Sequence, residues 1–209
     1  SLFAEKYPQR YFQMGIAEQN MASVAAGLAL AGKIPFINSF AVFASGRAYD
    51  QIRSSITIAN LNVKICGSSA GLSDFGDGKT HQSIDDIALM QVLPNMTVLS
   101  PCDAVETEMM VKEMVALKGH MYIRINRNDL PVVTDPAEEY HIGKMTQIVD
   151  GKDVVVFATG IMVQQSLEAA KTLAAEGISI RVVNVSTIKP LDTNALLGYC
   201  KGVKGVVTA

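Results

Sequence analysis

The sequence predicts an α/β protein in which a parallel sheet with helices on both faces is followed by a second, incomplete α/β three-layer domain. Short apolar segments alternate with segments of helical periodicity along the 209 residues, an order typical of parallel sheets joined by crossover helices. The predicted strands are apolar on both sides, as in sheets buried on both faces. Hydrophobic residues are 49% of the chain and charged residues 18%, which excludes a disordered chain.

The first part of the chain is predicted to contain four strands and four helices. The strands are expected at 34–39, 61–67, 96–100 and 120–126. The helices are expected at 18–32, 44–56, 83–93 and after residue 103. Ser83 and Asp86 resemble a capping box at the start of the third helix, and Asp103 with Glu106 opens the fourth.

Two domains joined by a linker are predicted. Residues 1–130 form the first domain, and residues 131–152, where the pattern loosens into proline, glycine and acidic residues, form the linker. Residues 153–209 begin the second domain, with a strand at 153–158, a helix at 163–176 and a strand at 178–185. Because the sequence starts without methionine and stops within a strand-like segment, we expect a fragment or a chain seen only in part.

Charge and cysteine content exclude several classes of protein. The chain carries 18 basic and 20 acidic residues, a net charge of −2, so no strong field favours nucleic acid or an anionic membrane. Cys66, Cys102 and Cys200 are an odd, scattered set, which argues against a disulfide framework or a zinc site. Without a long apolar run or a signal-peptide pattern, the chain is expected to be cytoplasmic, with no membrane partner.

The chemistry is expected at one edge of the first sheet, because ligands of parallel sheets bind outside the carboxyl ends of the strands. Four segments are predicted to reach that edge: the residues before Glu18, the turn at 38–43, the loop at 68–82 and the turn at 124–129. Glu18 fits a helix-start carboxylate favoured by the dipole, or an acid that hydrogen-bonds a heterocycle nitrogen.

Other candidates at this edge also have two interpretations. Phe40 and Phe43 are either core residues or rings that offer a face to a flat ligand. His81 is either a surface residue or a proton-exchanging group. Arg124 and Arg127 are either solvated or suited to a phosphorylated substrate.

One motif in the 68–82 loop is rejected as a metal site. Residues 76–78 read Gly-Asp-Gly, a triplet that thiamine diphosphate enzymes use to bind Mg²⁺. In those enzymes an Asn-rich ending follows about thirty residues later, whereas residues 101–105 here read PCDAV. No metal ligand is therefore predicted in this chain.

Five strings, in order along nearly the whole chain, carry a family resemblance. They are GIAEQNM (15–21), SFAVF with GRAYDQIR (39–43 and 46–53), DGKTHQ (77–82), NRNDLP (126–131) and IKPLD (188–192). Each string alone is weak, but the ordered set resembles the pyrimidine-binding domain of transketolase and the start of its C-terminal domain. The chain is particularly similar to the C-terminal subunit of transketolases split into two polypeptides, and a fragment of a full-length enzyme would look the same.

The resemblance implies a thiamine diphosphate cofactor. Glu18 falls on the glutamate that hydrogen-bonds N1′ of the aminopyrimidine, so that the cofactor's own 4′-nitrogen can remove the thiazolium C2 proton. Phe43, and with it Phe40, falls on the aromatic residues that line that ring. Matching this chain to the family needs a one-residue adjustment around Ser45 and Gly46. The third aromatic residue that the family places at the ring therefore has no assigned counterpart here, and Arg47 lies near its expected position.

The resemblance also implies substrate contacts. Asp77 matches a substrate-contacting acid, His81 a histidine for proton transfer or hydroxyl binding, and Arg127 a substrate-phosphate ligand. Some transketolases carry a second substrate-binding histidine about twelve residues before His81, where this chain has Ser69. Recognition of the donor's hydroxyl groups must therefore differ.

The implied reaction is transfer of a two-carbon ketol unit from a ketose phosphate to an aldose phosphate. In this family the diphosphate and Mg²⁺ are bound by a separate N-terminal half, so we expect a homodimer or heterotetramer and no turnover from this chain alone. Pyruvate dehydrogenase beta subunits share the early glutamate but not the THQ pattern of 80–82. The alternatives are 1-deoxy-D-xylulose-5-phosphate synthase, which shares that pattern, and a non-catalytic subunit that keeps the scaffold.

Overall fold

The computed structural model describes residues 2–209. Its α-helices are α1 (Leu2–Lys6), α2 (Glu18–Leu30), α3 (Tyr49–Gln51), α4 (Asp86–Val92), α5 (Ala104–Ala116), α6 (Ile161–Ala174) and α7 (Thr193–Tyr199). Its strands are β1 (Phe36–Phe40), β2 (Lys64–Ser68), β3 (Thr97–Leu99), β4 (Met121–Arg124), β5 (Thr146–Val149), β6 (Val154–Ala158), β7 (Ile180–Asn184), β8 (Thr187–Lys189) and β9 (Gly205–Thr208).

The first sheet has the order β1-β2-β4-β3-β8. Strands β1 to β4 are parallel, and β8 returns from later in the chain to pair antiparallel with β3. Helices α2 and α4 cover one face of the sheet and α5 covers the other. The predicted sheet with helices on both faces is therefore confirmed, with β8 as an addition that the sequence did not indicate.

Strand β4 shows why the predicted strands are apolar throughout. Side chains alternate between the two faces of a strand, so Met121 and Ile123 pack towards α5 while Tyr122 enters the core on the opposite face. All three side chains are almost fully buried. A strand between two helical layers has no face left for polar residues.

The second sheet has the order β5-β7-β6-β9, with β5 antiparallel and the other pairings parallel. Helix α6 packs on one face and α7 on the other, as expected for a second α/β unit. The predicted linker of residues 131–152 needs a correction, because it contains β5. This edge strand alternates half-buried and exposed residues, so it lacks the continuous apolar run that marked the other strands.

The helix predicted at 44–56 is also corrected. Two π-helical segments, Phe43–Arg47 and Ile52–Thr57, flank the single turn of α3. Their widened turns are closed by bonds from Ala48 N–H to the Phe43 carbonyl (3.3 Å) and from Ile58 N–H to the Arg53 carbonyl (3.2 Å). The hydrophobic period alone does not distinguish such turns from an ordinary α-helix.

The Ser83–Asp86 capping box is wrong. Helix α4 begins at Asp86, two residues later than a box at Ser83 requires, and its N-cap residue Asp85 makes no side-chain cap bond. Ser83 instead pairs through its backbone N–H with the Gly71 carbonyl at 3.0 Å. The Asp103 start of α5 is confirmed, since its carboxylate accepts the Glu106 N–H at 2.8 Å.

Buried polar contacts join the two sheets near the start of α5. The Glu106 carboxylate accepts hydrogen bonds from the Cys102 N–H and from the Asn184 side-chain amide, both at 2.8 Å. Asp103 also accepts the Val133 N–H at 2.8 Å. These bonds attach the second sheet and the intervening segment to the sheet that carries the candidate site.

Candidate functional site

The candidate site lies at the carboxyl ends of the parallel strands, as predicted. Phe40 at the end of β1 is level with Ser68 at the end of β2, and Gly67 is level with Arg124 at the end of β4. The turn after β1, the loop after β2 and the turn after β4 therefore leave the sheet at one edge. Glu18 joins them there, since its side chain contacts Ser39 of β1.

Glu18 is the first residue of α2, and it is only 6% exposed. The Ser39 hydroxyl donates to Oε1 at 3.1 Å, and the Arg47 guanidinium donates to Oε2 at 2.9 Å. Both carboxylate oxygens thus face the strand end and the π-helical segment. The helix N-terminus also favours a negative charge at this position.

These contacts keep Glu18 ionised. Burial on its own would raise the pKa of the Glu18 carboxyl, but the Arg47 guanidinium, the residue's own N–H and the Ser39 hydroxyl outweigh burial and lower the pKa. An ionised carboxylate only accepts hydrogen bonds. A ligand that needs a proton from Glu18 must therefore first change this environment.

Three rings form a cluster beside Glu18, the ring triad of Phe40, Phe43 and His81. The ring centroids of Phe40 and Phe43 lie 6.0 Å apart, and His81 lies 5.3 Å from Phe40 and 5.2 Å from Phe43. All three pairs meet edge to face, a favourable arrangement of aromatic rings. His81 Nδ1 is 2.9 Å from the Thr80 hydroxyl, which helps to fix the imidazole.

Arg47 connects the carboxylate to the ring triad. Its guanidinium carbon lies 4.1 Å from the Phe43 ring centroid, over the ring face, while Nη1 binds Glu18. The π-helical turn Phe43–Arg47 brings these two residues together. Ser45 and Gly46, where the family comparison needed a one-residue adjustment, lie within this turn.

A second polar cluster lies in the loop after β2. Arg127 Nη1 donates to Asp74 at 2.8 Å and lies 3.6 Å from the Asp77 carboxylate. The Arg127 N–H also donates to the Ser73 hydroxyl at 3.2 Å. Arg127 and Asp77 are both about half exposed, whereas Asp74 is fully buried. The predicted residues Asp77, on the turn that leads to His81, and Arg127, on the turn after β4, therefore lie together.

Asp74 is the anchor of this second cluster. Burial would raise the pKa of its carboxyl, but bonds from the Asp77 N–H, the Arg127 guanidinium and the Ser69 hydroxyl hold the pKa below its usual range. Ser69 thus stands at the Asp74 carboxylate, in the position where some transketolases have a histidine. A buried, ionised Asp74 offsets part of the charge of Arg127.

Arg124 has a different role from Arg127. Its Nε and Nη2 atoms donate to Asp86 at 2.9 and 3.3 Å, and the Tyr122 hydroxyl donates to the same carboxylate at 2.8 Å. Asp86 is 1% exposed and the Arg124 side chain 19%. Arg124, Tyr122 and Asp86 therefore form a buried polar cluster that joins β4 to α4, called the internal lock below. Arg124 is thus neither a solvated arginine nor a free phosphate ligand, the two interpretations that the sequence had suggested.

Three residues of the two clusters were not predicted from the sequence. Ser39 lies in the SFAVF string of 39–43 but was given no role. Arg47 was mentioned only as lying near the unassigned third aromatic, and Asp74 was given no role. Asp74 is the first acid of the polar loop, and a carboxylate there could have been proposed as a partner for Arg127. Nothing local in the sequence indicates the Arg47–Glu18 bond, which spans 29 residues.

Residues 2–209 contain neither a cluster of metal-ligating side chains nor a helix that could cross a membrane. Within this range no group of three or more His, Cys, Asp or Glu side chains is placed to hold a metal ion. No helix of the same range is both long and apolar enough to cross a membrane.

Comparison with known proteins identifies the two domains. Residues 1–133 match the family model of the transketolase pyrimidine-binding domain, and residues 143–209 match that of the transketolase C-terminal domain. The chain is thus an α/β protein with a pyrimidine-binding domain followed by a second domain of the same class. It belongs to the transketolase family.

Individual relatives agree with this assignment. A putative transketolase C-terminal section from Methanocaldococcus jannaschii is 43% identical over 92% of this chain and 61% of its own length. The 6-deoxy-6-sulfo-D-fructose transketolase subunit SqwH of a Clostridium species is 42% identical over 99% of this chain and 64% of its own length. The chain therefore spans less than two thirds of either relative.

A solved structure has the same fold throughout. It is described as a split gene transketolase, inactive beta4 tetramer, and it superimposes with a TM-score of 0.91 at 48% identity. The match covers 99% of this chain and 67% of that one.

Proposed function

We propose that this chain supplies the pyrimidine-binding half of a thiamine diphosphate-dependent transketolase site, at which a two-carbon ketol unit passes from a ketose phosphate to an aldose phosphate. The observation that carries the proposal is the buried Glu18 carboxylate beside the ring triad at the carboxyl edge of β1. A scaffold without catalysis would have no need of an acid at that place.

The chemistry of these residues fits an aminopyrimidine. A planar guanidinium already lies between the Glu18 carboxylate and the face of Phe43, where it donates one hydrogen bond to the carboxylate and its central carbon lies 4.1 Å from the ring centroid. An aminopyrimidine is also planar, with polar nitrogens on its edge and a π face. The Glu18 carboxylate and the Phe43 ring face, which hold the guanidinium here, therefore also suit an aminopyrimidine.

Glu18 is proposed to hold the ring nitrogen N1′, with a proton shared between the carboxyl and that nitrogen. Phe43 is proposed to contact the ring face, and Phe40 to support Phe43 through their edge-to-face contact. When bound, thiamine diphosphate supplies the nucleophilic carbon that carries the ketol unit. Glu18 is the residue that this chain contributes to activating it.

The remaining site residues are proposed to handle the sugar. His81, edge-on to both phenylalanine rings, is placed to exchange a proton with substrate or to bind a hydroxyl group. Asp77 is proposed to contact a substrate hydroxyl. Arg127 is proposed to bind the substrate phosphate through guanidinium nitrogens that Asp74 does not use.

The proposed partner is the diphosphate-binding half, which would also hold Mg²⁺, in a homodimer or heterotetramer. Two observations support a separate second half: a 43% identical relative is named a transketolase C-terminal section, and a 48% identical split-gene protein is described as an inactive beta4 tetramer. We therefore expect this chain alone to show no turnover.

Reconstitution with a diphosphate-binding half tests the proposal. With thiamine diphosphate and Mg²⁺, the assembled protein is expected to convert xylulose 5-phosphate plus ribose 5-phosphate. Glu18→Gln should lower kcat at least about 100-fold, the lower range for loss of a proton-transferring group. Glu108→Gln, at an exposed carboxylate paired with Lys112, is the matched control and should keep wild-type activity.

Two other outcomes would overturn the proposal. Activity with pyruvate plus glyceraldehyde 3-phosphate, but not with the pentose phosphates, would indicate a 1-deoxy-D-xylulose-5-phosphate synthase. A correctly assembled protein that binds thiamine diphosphate but converts neither pair, nor the 6-deoxy-6-sulfo-D-fructose named for one relative, would indicate a non-catalytic subunit.

A further inference from the structure

Arg47 engages both groups that the proposed function assigns to the aminopyrimidine. Its Nη1 lies 2.9 Å from Glu18 Oε2, and its guanidinium carbon lies 4.1 Å from the centre of the Phe43 ring. A single planar cation therefore spans the acid and the aromatic face. A flat ring cannot take the same face of Phe43 and the same carboxylate oxygen while Arg47 stays there.

The pair is built so that it can open. The Glu18 side chain is 7% exposed, whereas that of Arg47 is 43% exposed. Arg47 is therefore the partner that can move into solvent, and its departure costs little only when another group takes its place at the carboxylate. Glu18 cannot leave, because it is fixed at the first turn of α2, and a buried carboxylate without a partner is unfavourable.

The groups that face Glu18 come from three elements. They are the Arg47 guanidinium from the π-helical turn, the Ser39 hydroxyl from β1 and the residue's own N–H from α2. Arg47 is the one cation among them. Removing it leaves a buried carboxylate that binds a proton more readily.

We propose that Arg47 is a removable counter-ion of the ring site, which occupies the space between Glu18 and Phe43 in the cofactor-free protein and is displaced by the aminopyrimidine. This inference rests on the proposed function. When the guanidinium leaves, Glu18 takes one proton from solvent and shares it with the ring nitrogen. Arg47 thus keeps Glu18 charged and in position until the cofactor arrives, and the cofactor competes with it.

The first measurement needs no cofactor. The carboxyl carbon of Glu18 is followed by NMR against pH in the full-length protein, in wild type, Arg47→Ala, Arg47→Lys and the matched control Arg53→Ala. Arg53 lies on the second π-helical segment, Ile52–Thr57, and pairs with exposed Asp50. The titration midpoint should rise in Arg47→Ala and stay at the wild-type value in Arg53→Ala. An unchanged midpoint in Arg47→Ala would overturn the proposal.

The second measurement is the affinity for thiamine diphosphate with Mg²⁺, by calorimetry on the protein assembled with its diphosphate-binding half. Arg47→Ala should bind about threefold to fivefold tighter than wild type, the size of one partly exposed ion pair. Arg47→Lys, which keeps the charge but loses the planar stack, should lie between the two. Arg53→Ala should match wild type.

The outcomes separate this inference from the proposed function. Weaker binding by both Arg47 variants would mean that Arg47 is a ligand of the bound cofactor, which overturns the inference and leaves the proposed function standing. If the wild-type protein binds no thiamine diphosphate, the proposed function fails, and so does the displacement of Arg47 by the cofactor. This holds even if the Glu18 titration midpoint shows that the ion pair exists.

Discussion

Two helices begin with a buried carboxylate paired to an arginine, and the two pairs differ in how open they are. Glu18 starts α2 and binds Arg47, and Asp86 starts α4 and binds Arg124. The arginine–carboxylate distance is 2.9 Å in both. The side chain of Arg47 is 43% exposed, however, and that of Arg124 is 19% exposed.

The surroundings explain the difference. Asp86 also accepts a hydrogen bond from Tyr122, whose side chain is fully buried between the sheet and its helices. Burial, and then the charge of Asp86, raise the pKa of Tyr122 well above its usual value, so the hydroxyl stays a donor. Glu18 has only Ser39 and a half-solvated guanidinium. The same pairing of a carboxylate with an arginine is thus enclosed within the protein at α4 and reached by solvent at α2.

The largest expected effect is at the lock. Asp86→Ala should lower the free energy of unfolding by about 3 to 5 kcal/mol, because it leaves Arg124 and the Tyr122 hydroxyl without their buried acceptor. Glu18→Ala, the corresponding change at the open pair, should cost no more than about 1 kcal/mol, because its half-exposed partner Arg47 returns to solvent. Urea unfolding of the two variants measures both. Equal losses would remove the distinction between the pairs.

An intermediate effect is expected at Gly67, which packs under the lock. A Cβ at this position would overlap the Tyr122 hydroxyl, so Gly67→Ala should displace Tyr122 and cost about 1 to 3 kcal/mol. Gly27 is the matched control: it lies inside α2 with open space around it, and Gly27→Ala should stabilise the protein by up to about 1 kcal/mol. A neutral Gly67→Ala would show that the tyrosine is not held tightly.

The smallest effect is a pH dependence at the open pair. The pKa of Glu18 is lowered in the folded protein, so in the acid range the folded state binds fewer protons than the unfolded one. The pair therefore stabilises the fold above the ordinary glutamate pKa, and this contribution is lost as the pH falls through the lowered value. The stability difference between wild type and Glu18→Gln should shrink between pH 7 and pH 3. A constant difference would contradict the ionised pair.

Much of the fold follows from sequence pattern, and the exceptions have physical causes. The Ala-rich α2 and the strands β2, β4 and β6 carry strong periodic or apolar signals. Strand β8 has three residues and a partner distant in sequence, so no local pattern marks it. The capping box failed because the Asp86 carboxylate is used by Tyr122 and Arg124 rather than by its own helix.

The site was predictable to a similar extent. The rule that ligands bind outside the carboxyl ends of parallel strands predicted the sheet edge at which Glu18, the phenylalanines and His81 lie, and the family strings supplied only the roles proposed for them. The two ion pairs depend on side chains 29 and 53 positions apart in the chain, and only the fold brings them into contact. The π-helical turn that brings Arg47 over Phe43 was not predicted, because its apolar spacing is that of an ordinary helix.

Hydrogen–deuterium exchange at C2 of bound thiamine diphosphate is the most direct test of Glu18 as the cofactor-activating acid. It is measured on the assembled protein without sugar substrates, so substrate binding and product release do not enter. Wild type should exchange at least about 100-fold faster than Glu18→Gln, with the cofactor bound in both. Equal exchange rates would contradict the role assigned to Glu18.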